Sequence, residues 1–374
     1  MIPAGLVLDV RTVSPHFPGI GRVTLGLSQA LSRIGHLALL HAAPPDPRLP
    51  VPPLDGVPCA AGPFALRQHW EVRRLLRSRG ARVYHSPYYL MPCLPGVPSV
   101  VTCFDLVPML EAGTMDRGRR LAYVLAHLLA FRAAAAVCVP SEATASDVAR
   151  LFPRAAKKLV LVRPGVAWAR ADAARPAPGA AGCPRSALPP RFALHVGSNK
   201  PHKALDVLLE AWALAIRQSP GALARTTLVL AGPRDPRYPE PARSIERLAL
   251  ASRVADLGPV SDRQLEALYE GAALFICPSR REGFGLPLAE AMARGRPCLC
   301  SDTPALAETA GGAAALVAAG DAAALSDGIV RLLSDEDEAS RLGALGCARA
   351  ARFDWDAAAR DMVRVYERVA VARH

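Results

Sequence analysis

A chain of 374 residues fits the length prior for two domains of ordinary size, and a composition 51% hydrophobic and 21% charged is that of a globular protein able to bury two cores. No apolar run reaches the ~18 residues of a membrane span. The opening Met1-Ile2-Pro3-Ala4 has no basic region like that of a signal peptide, so a cytoplasmic protein is expected. Nine cysteines, odd in number and without a Cys-x-x-Cys pair, read as reduced packed thiols and not as a disulfide frame or a zinc site.

The net charge of +12 is unevenly placed: residues 1–185 hold 22 Lys/Arg against 10 Asp/Glu, and residues 186–374 hold 23 of each. Arg67, Arg73, Arg74, Arg77, Arg79 and Arg82 carry much of the excess, with a second cluster at Arg117, Arg119 and Arg120. A helix over 66–79 sets Leu66, Trp70, Leu75 and Leu76 among the arginines. It reads either as a surface helix attracted to anionic lipid or as a solvated face of an arginine-biased protein. No recognition module or aromatic-interleaved basic patch points to nucleic acid.

In chain order, residues 6–10 read as a first strand. Pro18-Gly19-Ile20-Gly21-Arg22 then reads as a glycine turn before an amphipathic helix from Val23 to Ile34, closed by Gly35. Such a turn takes a phosphate or is merely tight. Position 24 is Thr, not the third glycine of a dinucleotide fingerprint, so nicotinamide binding is not expected. Residues 82–87 and 98–105 read as strands ending in polar residues, where open α/β sheets place their sites. A long helix is expected over 118–135, and Ser141 suits a helix N-cap. Residues 169–190, rich in Ala, Pro, Gly and Arg without periodicity, read as an interdomain linker.

In the second half, residues 192–197 read as a strand leading through Ser198-Asn199-Lys200-Pro201-His202-Lys203 into a helix from Ala204, and residues 227–233 as the next strand and turn. The most informative stretch is 277–302. Strand 273–277 runs into the turn Gly283-Phe284-Gly285, a helix over 286–294 stopped by Gly295 and Pro297, and another apolar stretch at 297–300. This is one unit of a parallel α/β sheet. A helix N-terminus offers free N–H groups and partial positive charge, so an anion is expected against Phe284, Gly285 and Leu286. Glu282 and Glu290, with seven residues between them, cannot help hold a phosphate and instead suit hydroxyls. A diphosphate flanked by two sugars, as in a nucleotide-sugar, meets both demands. Residues 354–372 read as a terminal helix with an aromatic start at Trp355.

Glu282, the insert Gly283-Phe284-Gly285-Leu286-Pro287, and Glu290 after seven residues resemble the donor site of the retaining glycosyltransferases of family 4, which have the GT-B fold. The resemblance spreads over nearly the whole chain, strongest over 190–355. It takes in strand 159–166, the Ser141-Glu142 pair, residues 254–260, and Thr303 to Glu308 with Gly311-Gly312. It implies an α/β protein of two Rossmann-like domains facing across a cleft. These would be an acceptor-binding domain over 1–170, a linker at 171–190 and a donor-binding domain over 191–354, with helix 355–374 crossing back to the first domain.

By the same resemblance Glu282, Lys203 and Asp105 are the catalytic set. Glu290 is expected on the ribose and Glu282 on the donor hexose, with Lys203 and the amides of Phe284, Gly285 and Leu286 on the diphosphate. Gly283, Gly197, Ser198, Arg281, Val260 beside the base, and the Gly19–Gly21 loop complete the donor set. Two departures stand out. Phe104 occupies the place of a sugar-facing histidine in Thr102-Cys103-Phe104-Asp105-Leu106-Val107-Pro108, with His85 or His127 as substitutes. Ser198 and His202 stand where an arginine is usual, so a second cation must come from Arg281, Lys200 or His202. The expected reaction moves a hexose, from GDP-mannose or a related GDP-sugar in preference to UDP-glucose, to a hydroxyl of a glycan or lipid-linked acceptor. It needs no metal or other cofactor, and the basic half suits the inner membrane face. A nucleotide-sugar-binding protein without transfer activity, or another GT-B enzyme such as an epimerase, are the alternatives. A phosphorylase would need a pyridoxal-phosphate lysine environment that is not visible.

Overall fold

The computed structural model describes residues 2–14, 18–42, 45–46, 48–49, 55–111, 115–166 and 189–371. They fall into two compact units, 1–167 with 353–374, and 168–352. Of the linker expected at 171–190, all but the last two residues lie outside the described ones.

The first unit is built on seven parallel strands. These are β1 (Leu6–Asp9), β2 (Ala38–His41), β3 (Asp55–Pro58), β4 (Val83–Ser86), β5 (Ser99–Thr102), β6 (Ala136–Val139) and β7 (Leu159–Leu161), in the order β3-β2-β1-β4-β5-β6-β7. Every residue of β1, β4 and β6 is buried, as parallel strands covered on both faces must be. Helices α1 (Pro18–Ile34), α2 (Gln68–Ser78), α3 (Val107–Leu110), α4 (Arg117–Ala133) and α5 (Glu142–Leu151) make the connections. One face of the sheet is packed by Val72 and Leu76 of α2, Ala130 and Phe131 of α4, and Val148 of α5. The other is packed by α1, through Leu27 and Leu31, and by the last helix of the chain, through Met362, Val363 and Tyr366. The C-terminal helix thus belongs to the N-terminal unit, and the Tyr366 hydroxyl lies 2.7 Å from His85 Nδ1 of β4.

The glycines expected in a turn before α1 are inside it. The helix begins at Pro18, where a missing N–H costs nothing, so Gly19 and Gly21 lie in its first turn. A Cβ on Gly21 would stand 2.8 Å from the Thr12 carbonyl oxygen, and this close approach of the helix to the exit of β1 explains the glycine without a ligand.

The second unit repeats the plan with six parallel strands: β8 (Phe192–Val196), β9 (Thr227–Ala231), β10 (Val254–Gly258), β11 (Leu274–Cys277), β12 (Cys298–Ser301) and β13 (Ala315–Val317), ordered β10-β9-β8-β11-β12-β13. Its helices are α6 (Leu205–Gln218), α7 (Pro220–Leu223), α8 (Glu240–Arg247), α9 (Asp262–Gly271), α10 (Leu286–Ala293), α11 (Pro304–Ala310), α12 (Ala322–Ser334) and α13 (Glu336–Ala350); α14 (Trp355–Val371) is the terminal helix described above. Leu208, Leu209 and Trp212 of α6 with Ile329 and Leu332 of α12 fill the core on one face, while Tyr269 of α9 meets Phe275 of β11 on the other. Strand order reverses between β8 and β11. At such a switch point the two exit loops diverge and leave a crevice at the carboxyl ends of the strands.

Candidate functional site: the switch point of the second sheet

The loops leaving β8 and β11 bring together the two side chains that matter most. After β8 the backbone makes a tight turn at Pro201–Lys203, and Ala204 adopts a left-handed conformation (φ 52°) before α6 begins. This holds Lys203 at the loop's end, and its Nζ stands 2.6 Å from Glu282 Oε1, a residue contributed by the loop after β11. Ser279 donates a second hydrogen bond to the same oxygen at 2.7 Å. Burial alone would raise the Glu282 carboxyl, but the Lys203 charge and these two hydrogen bonds outweigh it and hold the group below the usual carboxylate range.

Glu282 is followed by buried Gly283, Phe284 and Gly285. Gly285 has φ +88° at the start of α10, and a Cβ there would stand 2.6 Å from Leu306 Cδ2, so both conformation and space demand glycine. The Phe284 carbonyl accepts a hydrogen bond from the Thr309 hydroxyl, which fixes the turn. The Gly285 and Leu286 amides have no acceptor among the described residues, as expected of the first N–H groups of a helix. One turn along α10, Glu290 is buried and accepts from the Tyr269 hydroxyl at 2.8 Å.

The β8 loop carries further order. Asn199, 7% exposed, accepts from the Asp235 amide at 2.7 Å and donates to the Asp235 and Tyr238 carbonyls at 2.9 and 2.7 Å, tying the loop after β9 to the loop after β8. Arg234 donates to the Gly197 and Gly232 carbonyls at 3.1 and 3.0 Å while pairing with Asp256. Ser198 is half-buried beside Asn199. His195 donates from Nδ1 to the Ile276 carbonyl at 3.0 Å; a carbonyl can only accept, so Nε2 carries the lone pair, and it has no described partner. Sequence reading missed Ser279, Asn199, Arg234, Tyr269 and His195. Only Ser279, three residues before Glu282, left a local signal; the others act across elements.

Among the three candidates for a second cation, Lys200 is exposed and Arg281 half-buried. Burial, with the neighbouring Lys203 charge, pushes the His202 imidazole down to about 4, so His202 is neutral at pH 7 and not that cation. Val260 is half-buried past the end of the edge strand β10, next to Ser261, which closes a capping box with Gln264 on α9.

The site residues expected in the first unit stand differently. Asp105 Oδ1 accepts from the Val107 amide at 3.0 Å at the start of α3, with Tyr88, Tyr89 and Tyr123 near enough to feel its charge. Phe104 lines a cavity of about 30 Å³ with Thr24, Pro140 and Trp355. Neither substitute histidine is available for a sugar. His85 is fully buried with Nδ1 at Tyr366 and Nε2 at 2.9 Å from the Thr102 hydroxyl. His127 is 1% exposed, stacked 4.0 Å from Tyr89 and bonded to the Tyr123 carbonyl. Among the described residues no three His, Cys, Asp or Glu side chains are grouped as metal ligands, and no helix is long and apolar enough to cross a membrane.

Comparison with known proteins bears on this arrangement. Residues 190–335 match the family model described as glycosyl transferases group 1, and residues 18–170 the model described as Glycosyltransferase Family 4. An O-antigen chain mannosyltransferase B of Escherichia coli is 27% identical over 311 residues, 80% of this chain and 77% of that protein. A D-inositol 3-phosphate glycosyltransferase of Streptomyces scabiei is 31% identical over 286 residues, 72% of this chain but 63% of that protein, less than two thirds of its length. In structure, the chain is similar to a sucrose-phosphate synthase from Thermosynechococcus elongatus (TM-score 0.74, 22% identity, 98% of this chain and 99% of that one). It is also similar to Anabaena HepE in complex with UDP-glucose (TM-score 0.72, 17% identity, 97% and 99%). With both halves matched by these models, and with two parallel Rossmann-like sheets, the chain belongs to the family 4 glycosyltransferases of the GT-B fold.

Proposed function

We propose that the protein is a retaining hexosyltransferase whose donor site is the switch point of the second unit. The observation that carries this reading is the Lys203–Glu282 pair, held 2.6 Å apart beside the helix-start amides of Gly285 and Leu286. One cation and a helix N-terminus suit a diphosphate. The carboxylates Glu282 and Glu290 suit the hydroxyls of hexose and ribose. In the reaction the bond between the sugar's anomeric carbon and the diphosphate oxygen breaks, and a bond from the acceptor hydroxyl forms on the same face. The acceptor's proton passes to the departing phosphate, and a nucleoside diphosphate leaves. Lys203 and the α10 amides take up the charge that develops on that phosphate, so in this reading no metal is required. Acceptor binding falls to the first unit, over about residues 1–170 with the terminal helix.

A GDP-linked donor, GDP-mannose above all, is favoured by the E. coli mannosyltransferase relative. UDP-glucose is the next choice, as bound in HepE. The acceptor is a glycan or lipid-linked sugar, met in the cytoplasm at an anionic membrane face to which the basic first half is drawn. A thermal-shift panel of GDP, UDP and ADP, followed by transfer assays with the matching nucleotide-sugars, tests the reading. Stabilisation by one diphosphate and transfer from its sugar support it; binding without transfer leaves a nucleotide-sugar-binding protein, and no shift with any of the three rejects the site.

A further inference from the structure

Helix α4 is apolar on both sides. Its inner face, His127, Ala130 and Phe131, lies in the core of the first unit. Its outer face carries Leu121, Leu125, Leu128 and Leu129, which are 69%, 51%, 47% and 37% exposed. Their spacing, four then three then one, puts them along a single stripe opposite the core. Between its terminal arginines the helix is apolar on its core side and again on its outer side, and four exposed leucines on one stripe, closed by Arg132, are not ordinary surface scatter.

Helix α2 lies over the same face of the sheet, since Val72 and Leu76 share a core with Ala130 and Phe131. Its outer side presents Trp70, 64% exposed, with Arg73, Arg74 and Arg77 beside it. None of these three arginines makes an ion pair with a described residue. Phe64 and Leu66, 61% and 77% exposed, lead into the helix, and Arg117 stands exposed where α4 begins, next to Arg119, which pairs with Asp116 at 3.2 Å. Exposed leucines on α4, with an exposed tryptophan and three arginines without an ion pair among the described residues on α2, are what a bilayer interface takes. The apolar side chains enter the acyl boundary, the indole sits at headgroup depth, and the guanidinium groups pair with lipid phosphates.

We propose that the outer face of α2 and α4 docks on an anionic membrane. Charge decides between this occupant and a second copy of the chain. Two copies meeting through this face would oppose arginine to arginine, in a half that already holds the whole +12 excess, whereas anionic headgroups neutralise it. The proposal deepens the reading of a membrane-side acceptor, yet it concerns a surface of the first unit and its test needs no transfer activity.

The test is co-sedimentation of the full chain with phosphatidylcholine vesicles, with and without about one-third phosphatidylglycerol. Binding is expected on the anionic vesicles, weakening as salt is raised. Leu125→Asp with Leu128→Asp should lower it at least roughly tenfold, and each of Arg73→Gln, Arg74→Gln and Arg77→Gln roughly fivefold. All five substitutions are at exposed positions, so melting temperature and any nucleotide-induced thermal shift should stay at wild-type values. That constancy separates loss of docking from loss of fold or of the donor site. Equal binding to neutral vesicles, or binding that survives both sets of changes, overturns the proposal. So does a wild-type dimer in vesicle-free solution that the leucine variants convert to monomer, because the stripe is then a subunit interface.

Discussion

Lys203 and Glu282 come from loops on opposite sides of the reversal in strand order, yet meet at 2.6 Å with side chains only 15% and 12% exposed. Pairing at that depth means neither charge is tolerable alone, because removing one partner strands the other in a poorly hydrated pocket. Glu282→Ala and Lys203→Ala should each lower kcat/KM for transfer by roughly two to three orders of magnitude. The double variant should lose less than the sum, since the two act as a unit. Steady-state kinetics on the four proteins checks this, and unimpaired turnover in Glu282→Ala rejects the assignment. The carboxyl of Glu282 lies below its ordinary value of 4.5. Its pairing therefore stabilises the fold fully above that pH and is lost as pH falls through the lower, folded-state value.

A second pH effect comes from imidazoles and sets in at higher pH. Burial pushes His85 down to about 3, and His127 and His195 to about 4, from an ordinary value of 6.5. Two lie in the first unit and one in the second. Below pH 6.5 the unfolded chain takes up protons that the folded chain refuses, so stability is complete above that pH and declines as the pH drops towards 4. Each group should contribute a loss on the order of 1–2 kcal/mol by pH 5. Melting temperature measured from pH 8 to pH 5 should hold steady to about 6.5 and then fall; a flat profile would mean that these rings protonate in place.

Tyr269 and Glu290 form the deeper polar contact, 2.8 Å apart and both buried. Replacing Tyr269 by Phe keeps the ring against Phe275 but takes away a donor that Glu290 uses. The expected cost is about 1–3 kcal/mol of stability. If Glu290 grips ribose hydroxyls, nucleoside diphosphate affinity should fall with it, because the carboxylate loses part of its orientation. Calorimetric titration with GDP and UDP, read beside the melting temperature, separates the two. Lost stability with unchanged affinity would assign Glu290 a role in the core alone.

How much of this was legible in the chain depended on the range of the interaction. The βαβ unit around Glu282 was readable because strand, glycine turn, helix and stop are local: residues 286–294 were expected as helix, and Leu286–Ala293 form it. The same local logic set Gly19 and Gly21 in a turn where the helix has already begun; Gly21 answers to the Thr12 carbonyl, a tertiary neighbour that no local pattern reveals, while a Cβ on Gly19 would meet nothing within 4 Å. Asn199 and Arg234 escaped notice for the same reason, because each joins loops from different strands. The leucines of α4 read as part of a long helix, and only the fold shows which of its sides meets the core.

The absent arginine gives a last prediction. His202 stands immediately before Lys203, is half-buried, and carries no proton at pH 7 because its value lies at about 4. The wild-type site therefore meets a diphosphate without a positive charge from this side chain, whose neutral ring keeps one N–H donor. Restoring a permanent charge by His202→Arg should tighten nucleoside diphosphate binding by about tenfold, the worth of a charge-assisted hydrogen bond in a partly buried setting. Wild-type affinity for the same ligand should not rise between pH 8 and pH 6, since no proton arrives at His202 in that range. Titration calorimetry across those conditions decides the matter. Affinity that climbs steadily on acidification would show His202 to be the missing cation after all, and His202→Arg would then add little at pH 6.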